Sequence, residues 1–374
     1  MRKIMFIALF AVTSIVASAQ EKKVIELPAW IQDVKLSGYG MVQYQADDKY
    51  EDSKNSFNLR LVRLALDGRV KNDWYWKIQM QVNGTTKDDN TAIRLVDAFA
   101  EWQKYKFFMV KGGQFKRPFT FENPMHPITQ GFMSYSQNVT KLAGFSDRTG
   151  EQASNGRDIG VQIQGDFLPN AAGRNLFHYQ VGVFNGQGIN TKDVDNRKDI
   201  IGGVWFMPVK GMRIGAFGWT GSRGTKVTDQ ETGKKYVVST PKNRYALSGE
   251  YVTNDWTFRT EYIHSQGYDV NIIRNEDGNA VAVNHKKGDK ADGYYALCIA
   301  PVIKNKFHVK ARYDLYRDNK EWDSSKTFYE IGADYLFSKN LQLNIEYARV
   351  NDRTIADPDK HNYNLVDVEL NFRF

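Results

Sequence analysis

The sequence predicts an all-β chain, a 16-stranded antiparallel transmembrane β-barrel with an inward-folded third loop. Three observations predict it. Strand-length stretches alternate apolar and polar residues with period two, which a helix cannot do. The connections between these stretches alternate short and long, the signature of an even-stranded outer-membrane barrel with periplasmic turns and extracellular loops. After the N-terminus no apolar stretch approaches the roughly 20 residues that a membrane helix needs. The 374 residues hold 8 Trp, 20 Tyr, 22 Phe and 30 Gly against 9 Pro, which excludes a disordered chain and favours strands.

The first element is an address. Arg2 and Lys3 precede an apolar run from Ile4 to about Val16, and Ala17-Ser18-Ala19 offers the small residues that a signal peptidase accepts. Residues 1–19 therefore read as a signal peptide cleaved before Gln20, residues 20–33 as a short periplasmic lead-in, and 34–374 as the barrel. The formal charge of +8 includes the two cations of that leader.

The clearest strand covers 74–83, where Trp74, Trp76, Ile78, Met80 and Val82 share one face and Tyr75, Lys77, Gln79, Gln81 and Asn83 the other. In 307–316, Phe307, Val309, Ala311, Tyr313 and Leu315 oppose His308, Lys310, Arg312, Asp314 and Tyr316. The same pattern places strands at 34–45, 56–70, 74–83, 91–103, 107–115, 158–168, 176–185, 200–208, 212–221, 243–253, 256–266, 292–302, 307–317, 326–337, 341–351 and 362–374. The connections after even-numbered strands are short, for example Lys71-Asn72-Asp73 and Ser338-Lys339-Asn340. The last strand carries Val366, Val368, Leu370, Phe372 and Phe374 on one parity. A terminal Phe of this kind resembles the recognition signal of the outer-membrane barrel assembly machinery. Aromatics near strand ends (Trp30, Tyr44, Trp74, Trp102, Trp256, Tyr363) fit interfacial girdles against outer-membrane lipid.

If the apolar parity meets lipid, the polar parity lines a lumen, and sixteen strands enclose a water-filled channel. Selectivity then comes from charge at a constriction, where Arg and Lys favour anions. In 57–70 the apolar parity shifts from Phe57/Leu59/Leu61 to Val62/Leu64/Leu66, so a bulge near Leu61 or Val62 would point Arg60 and Arg63 alike inward. Arg69 continues the row, which spans about 30 Å at roughly 3.3 Å per residue. Lys77, Lys111, Lys310 and Arg312 fall on inward parities among numerous carboxylates, so the wall is mixed. The connection from Lys116 to Arg157 is the expected constrictor, because a loop of this length is usually functional. It brings Lys116, Arg117, Lys141, Arg148 and Arg157 against Glu122, Asp147 and Glu151.

These residues resemble the phosphate-selective porins of the O and P type along nearly the whole mature chain. Phe57-Asn58-Leu59-Arg60-Leu61-Val62-Arg63-Leu64 looks like the family's Arg-rich second strand, and Gly113-Gln114-Phe115-Lys116-Arg117-Pro118-Phe119 like the start of its third loop. Gly156-Arg157-Asp158-Ile159-Gly160-Val161 and Tyr179-Gln180-Val181-Gly182-Val183-Phe184-Asn185-Gly186 follow in family order. The resemblance implies a sixteen-stranded, typically trimeric barrel in the outer membrane of a Gram-negative bacterium. It also implies a third loop that folds inward and arginines and lysines that conduct small anionic solutes. Leu61 stands where the family often has a second adjacent Arg.

Other chemistry finds no support in the sequence. The six histidines are scattered, and neither a G-x-S-x-G elbow nor an H-E-x-x-H helix occurs, so no catalytic residue is expected. A single cysteine, Cys298, excludes a multi-thiolate site, no EF-hand loop is found, and no metal or cofactor is expected. No basic stripe or motif points to nucleic acid. The alternative function is a ligand-binding or adhesive barrel without conductance.

Overall fold

The computed structural model describes residues 28, 30–49, 54–71, 73–83 and 93–374; the expected signal peptide and its cleavage point before Gln20 lie outside them. Sixteen strands close into one antiparallel barrel. They are β1 (Ile31–Asp47), β2 (Lys54–Val70), β3 (Trp74–Gln81), β4 (Arg94–Tyr105), β5 (Phe108–Lys116), β6 (Arg157–Pro169), β7 (Asn175–Phe184), β8 (Asp199–Phe206), β9 (Met212–Thr228), β10 (Lys235–Thr253), β11 (Trp256–Gln266), β14 (Lys290–Ile303), β15 (Phe307–Arg317), β16 (Ser325–Ser338), β17 (Leu341–Asp352) and β18 (Asn362–Arg373). Two further strands, β12 (Asp269–Arg274) and β13 (Ala280–Lys287), form a separate hairpin in the connection after β11, so β11 pairs directly with β14. Each expected strand is present. β1 begins at Ile31, inside the segment expected as lead-in. β9 and β10 keep pairing from Gly221↔Lys242 out to Thr228↔Lys235, well past the expected ends at 221 and 243. That extension bears few lipid-facing apolar residues, so period two does not mark it.

The faces are inverted relative to a soluble sheet. On β3, Trp74, Ile78 and Met80 are 46%, 44% and 37% exposed, while the intervening Gln79 and Gln81 are each 5% exposed. On β15, Val309 is exposed and its neighbours His308, Lys310, Arg312 and Asp314 are buried. Only a hydrocarbon surround makes that arrangement favourable, since in water it would expose a continuous apolar belt. The belt closes at the β1–β18 seam, which runs from Tyr39↔Arg373 to Asp47↔Leu365. Gly38 and Phe374 exchange both backbone hydrogen bonds there (3.0 and 3.1 Å). The rings of Phe372 and Phe374 fill the spaces that side chains at Gly40 and Gly38 would need.

The hydrophobic core sits inside the barrel. The third loop (117–156), with its one short helix α1 (Gln137–Leu142), folds inward and packs Phe119, Phe121, Val139 and Leu142 against Ile201 of β8, Phe217 and Trp219 of β9, and Ile263 of β11. Phe119 and Phe121 meet Phe217 edge-on with centroids 6.4 and 5.4 Å apart. Each such side chain removed from water contributes about 1.5–3 kcal/mol, enough to hold a loop of few regular hydrogen bonds off the barrel axis.

Candidate functional site

A loop inside a barrel must find partners for backbone groups that no sheet satisfies. Here the wall supplies them. Carboxylates accept from loop amides: Glu261 on β11 from Phe121 and Glu122 (3.0 and 2.8 Å), Asp314 on β15 from Gln137 (2.8 Å), and Glu346 on β17 from Met133 (2.9 Å). Cations donate to loop carbonyls: Arg244 to Leu142 (2.7 Å), Arg259 to Gln130 (2.8 Å), Lys310 to Gly131 (2.9 Å) and Arg312 to Ser134 (2.8 Å). Each of these cations is also ion-paired, to Asp147, Glu250, Glu346 and Glu330 respectively. A second set of charges fixes the loop's ends. Arg117 is fully buried and contacts Glu151 (2.9 Å) and Asp158 (2.8 Å), while Lys242 meets Asp199 at 2.8 Å. Arg117, Lys242 and Arg244 surround the Trp219 ring at 4.9, 5.2 and 4.8 Å. Gly144, with φ +90°, is one position where the loop must carry no side chain, because a Cβ there would collide with the Arg117 guanidinium.

With the loop bound to β8–β11 and β14–β17, its free edge faces β1–β6. Two adjoining cavities of about 280 and 270 Å³ lie there, sharing Arg63, Lys116, Pro127 and Arg157. Arg60 lines the first, and Lys77 and Lys111 the second. The bulge that aims both arginines inward is real: Met41 pairs with Leu61 and Val42 with Leu59, leaving Arg60 as the extra residue. The Asn83 amide closes that gap, accepting from the Val62 N–H (3.0 Å) and donating to the Leu59 carbonyl (2.7 Å). Arg63 donates to the Tyr39 hydroxyl (3.1 Å) and the Gln81 side chain (3.2 Å), and the Lys116 ammonium places its three hydrogens on the carbonyls of Asn123 and Met125 and the Tyr135 hydroxyl (2.7, 2.6 and 2.8 Å). All of these acceptors are neutral. Asp97, which Arg157 grips with two nitrogens (2.6 and 3.2 Å), is the one carboxylate lining either cavity among the described residues.

The sequence profile of the phosphate-selective porins O and P matches residues 37–374. The chain belongs to that family. It is an outer-membrane porin, and the fold has solved counterparts. An anion-selective porin from Comamonas acidovorans is 17% identical with a TM-score of 0.61, over 92% of this chain and 100% of that one. OmpF of Salmonella typhi, solved with daunomycin, is 13% identical with a TM-score of 0.63, over 94% and 100%. OmpT of Vibrio cholerae in its trimer form is 12% identical with a TM-score of 0.55, over 91% and 99%. Among curated proteins, none matches the chain.

The porin thus gathers Arg60, Arg63, Lys77, Lys111, Lys116 and Arg157 along the loop's free edge. Arg60 also meets Glu369 at 3.0 Å and Lys111 meets Glu101 at 3.5 Å. The other six nominated cations lie elsewhere. Arg117, Lys310 and Arg312 anchor the loop as described. Arg148 donates to the carbonyls of Gly267, Gly288 (3.0 Å) and Asp318 (2.5 Å), tying the loop to the connections above β11 and β15. Lys141 is exposed in the last turn of α1, and Arg69 stands near the short β2–β3 turn, across the ladder from Tyr75.

Other residues add to the lining or its support. Tyr39, His126 and Asn155 line the cavities, and with its side-chain amide oriented to give both guanidinium groups an acceptor, the Asn155 oxygen accepts from Arg63 and Arg94 (3.0 and 3.3 Å). His126 packs edge-on to Tyr39, with centroids 4.5 Å apart. Burial, then Lys116, Lys77 and Arg63 around it, push its pKa down to about 4. Its Nδ1 accepts from the Ile128 amide (3.2 Å), as a neutral ring does. Parity alone gives no signal for His126 and Asn155, which lie in the loop, while an inward aromatic such as Tyr39 looks like a belt residue to hydropathy.

Proposed function

We propose that this porin is a passive diffusion channel that prefers small anions, and that solutes pass between the free edge of the third loop and the β1–β6 wall. One observation carries the reading: the six cations along that edge face a single lining carboxylate, Asp97, among the described residues. Rings of Arg and Lys at a constriction lower the barrier for anions and raise it for cations. Arg117, Arg148, Lys310 and Arg312 serve this indirectly by holding the loop. Lys141 and Arg69 lie on the approaches from either side.

The same reading takes residues 1–19 as a signal peptide removed before Gln20 and Phe374 as the handle for the barrel assembly machinery. It also takes the working unit as a homotrimer, a form in which OmpT of Vibrio cholerae has been solved. No cofactor enters the mechanism. Recording in planar lipid bilayers tests it: purified protein gives stable conductance steps, and in a potassium chloride gradient the reversal potential shifts toward the chloride equilibrium value. Silent bilayers would favour the ligand-binding or adhesive barrel instead.

A further inference from the structure

We infer that the cavity lined by Lys77 and Phe99 retains planar organic anions, single-ring aromatic carboxylates, more strongly than inorganic ones. The inference rests on the anion-channel reading above and names the solute class that the constriction suits.

The donors of this cavity are largely committed. Arg157 is forked onto Asp97, Arg63 is bonded to Tyr39 and Gln81, and Lys116 has placed all three hydrogens on the loop. A multiply charged tetrahedral anion needs several convergent free donors to replace its hydration, and these groups do not offer them. Lys77 does remain available, since among the described residues it makes no hydrogen bond or ion pair. One uncommitted ammonium suits a monoanion whose remaining surface is held by something other than charge.

The apolar half of the cavity supplies that hold. Phe99 sits directly across the β3–β4 ladder from Lys77 and packs edge-on to Phe115, with centroids 5.9 Å apart. Its partner on β5 is Gly113, where a Cβ would collide with Phe99 itself. The Lys111 ammonium stands 5.1 Å from the Phe99 ring and 5.4 Å from that of Phe115. Met125 and Pro127 of the third loop form the opposing wall of this cavity of about 270 Å³. That is room for one small ring, with its face on Phe99 and its carboxylate on Lys77.

The test uses the full-length porin in planar bilayers carrying a chloride current, with benzoate, acetate or phosphate titrated at constant ionic strength. Acetate shares the head group of benzoate and lacks the ring. Benzoate should reduce the current at lower concentration than acetate or phosphate. Phe99→Leu should lower the benzoate-to-acetate preference by roughly two- to tenfold, the worth of an aromatic pair, and Lys77→Gln should weaken both carboxylates. Equal block by benzoate and acetate in the parent, or a preference unmoved by Phe99→Leu, overturns the inference while the chloride current keeps the channel reading intact. Absence of chloride current removes both.

Discussion

Lys310 and Glu346 form an ion pair at 2.5 Å that reaches across Gly332 of the intervening β16, and each partner also holds the third loop, Lys310 through the Gly131 carbonyl and Glu346 through the Met133 amide. Charges that at first sight line a lumen are here the fastening of its constriction. The same logic applies to Arg312 with Glu330 and Ser134.

Breaking this fastening should be costly. Glu346→Ala leaves Lys310 buried without its counter-charge and the Met133 amide without its acceptor, a change of about 3–5 kcal/mol for a buried pair that loses one member. Urea unfolding in detergent should show that loss. The open-channel current noise should rise as the loop loosens.

A pH dependence follows from Glu122. Its side chain is fully buried in the loop and accepts from the Ser136 amide (3.2 Å) and hydroxyl. Burial raises its pKa above the ordinary 4.5, against the opposing pull of Arg312 and Arg259. A carboxyl that holds its proton more tightly when folded contributes stability that is complete below its unfolded pKa and is lost as pH rises through the folded one. Unfolding midpoints measured upward from pH 4 should therefore carry a falling component from this group, and Glu122→Gln should remove it. An identical slope in the variant would show that another group titrates.

The outer face has its own prediction. Ile331, at the middle of β16, is 60% exposed. Ile331→Arg puts a charge near the bilayer midplane and should cost about 2–4 kcal/mol. Folding equilibria in lipid vesicles would measure it, and a variant as stable as the parent would mean that this face does not meet hydrocarbon.

The sixteen strands are legible because lipid on one side and water on the other enforce period two along every one of them. The Arg60 bulge is legible for the same reason: a shift of parity in 57–66 has no other cheap explanation, and the structure places the extra residue one position before Leu61. The β12–β13 hairpin and the outer reaches of β9 and β10 escape because they face no hydrocarbon. The division of labour among the cations escapes for a different reason. Lys111 and Lys310 occupy equivalent inward positions on their strands, yet the loop packs onto Lys310 and leaves Lys111 facing the cavity. Where an internal loop of irregular backbone comes to rest depends on contacts far apart in the chain, such as Phe121 with Phe217, and no local pattern reports them.

Reversal potential in a potassium chloride gradient, compared between the parent and Arg60→Glu/Arg63→Glu, tests the central claim most directly. Both side chains lie along the free edge of the loop, and neither carries its anchoring bonds to the opposite wall. The account predicts an anion-selective parent and a variant whose reversal potential moves toward the potassium value, with conductance retained. Identical reversal potentials in the two proteins would contradict it.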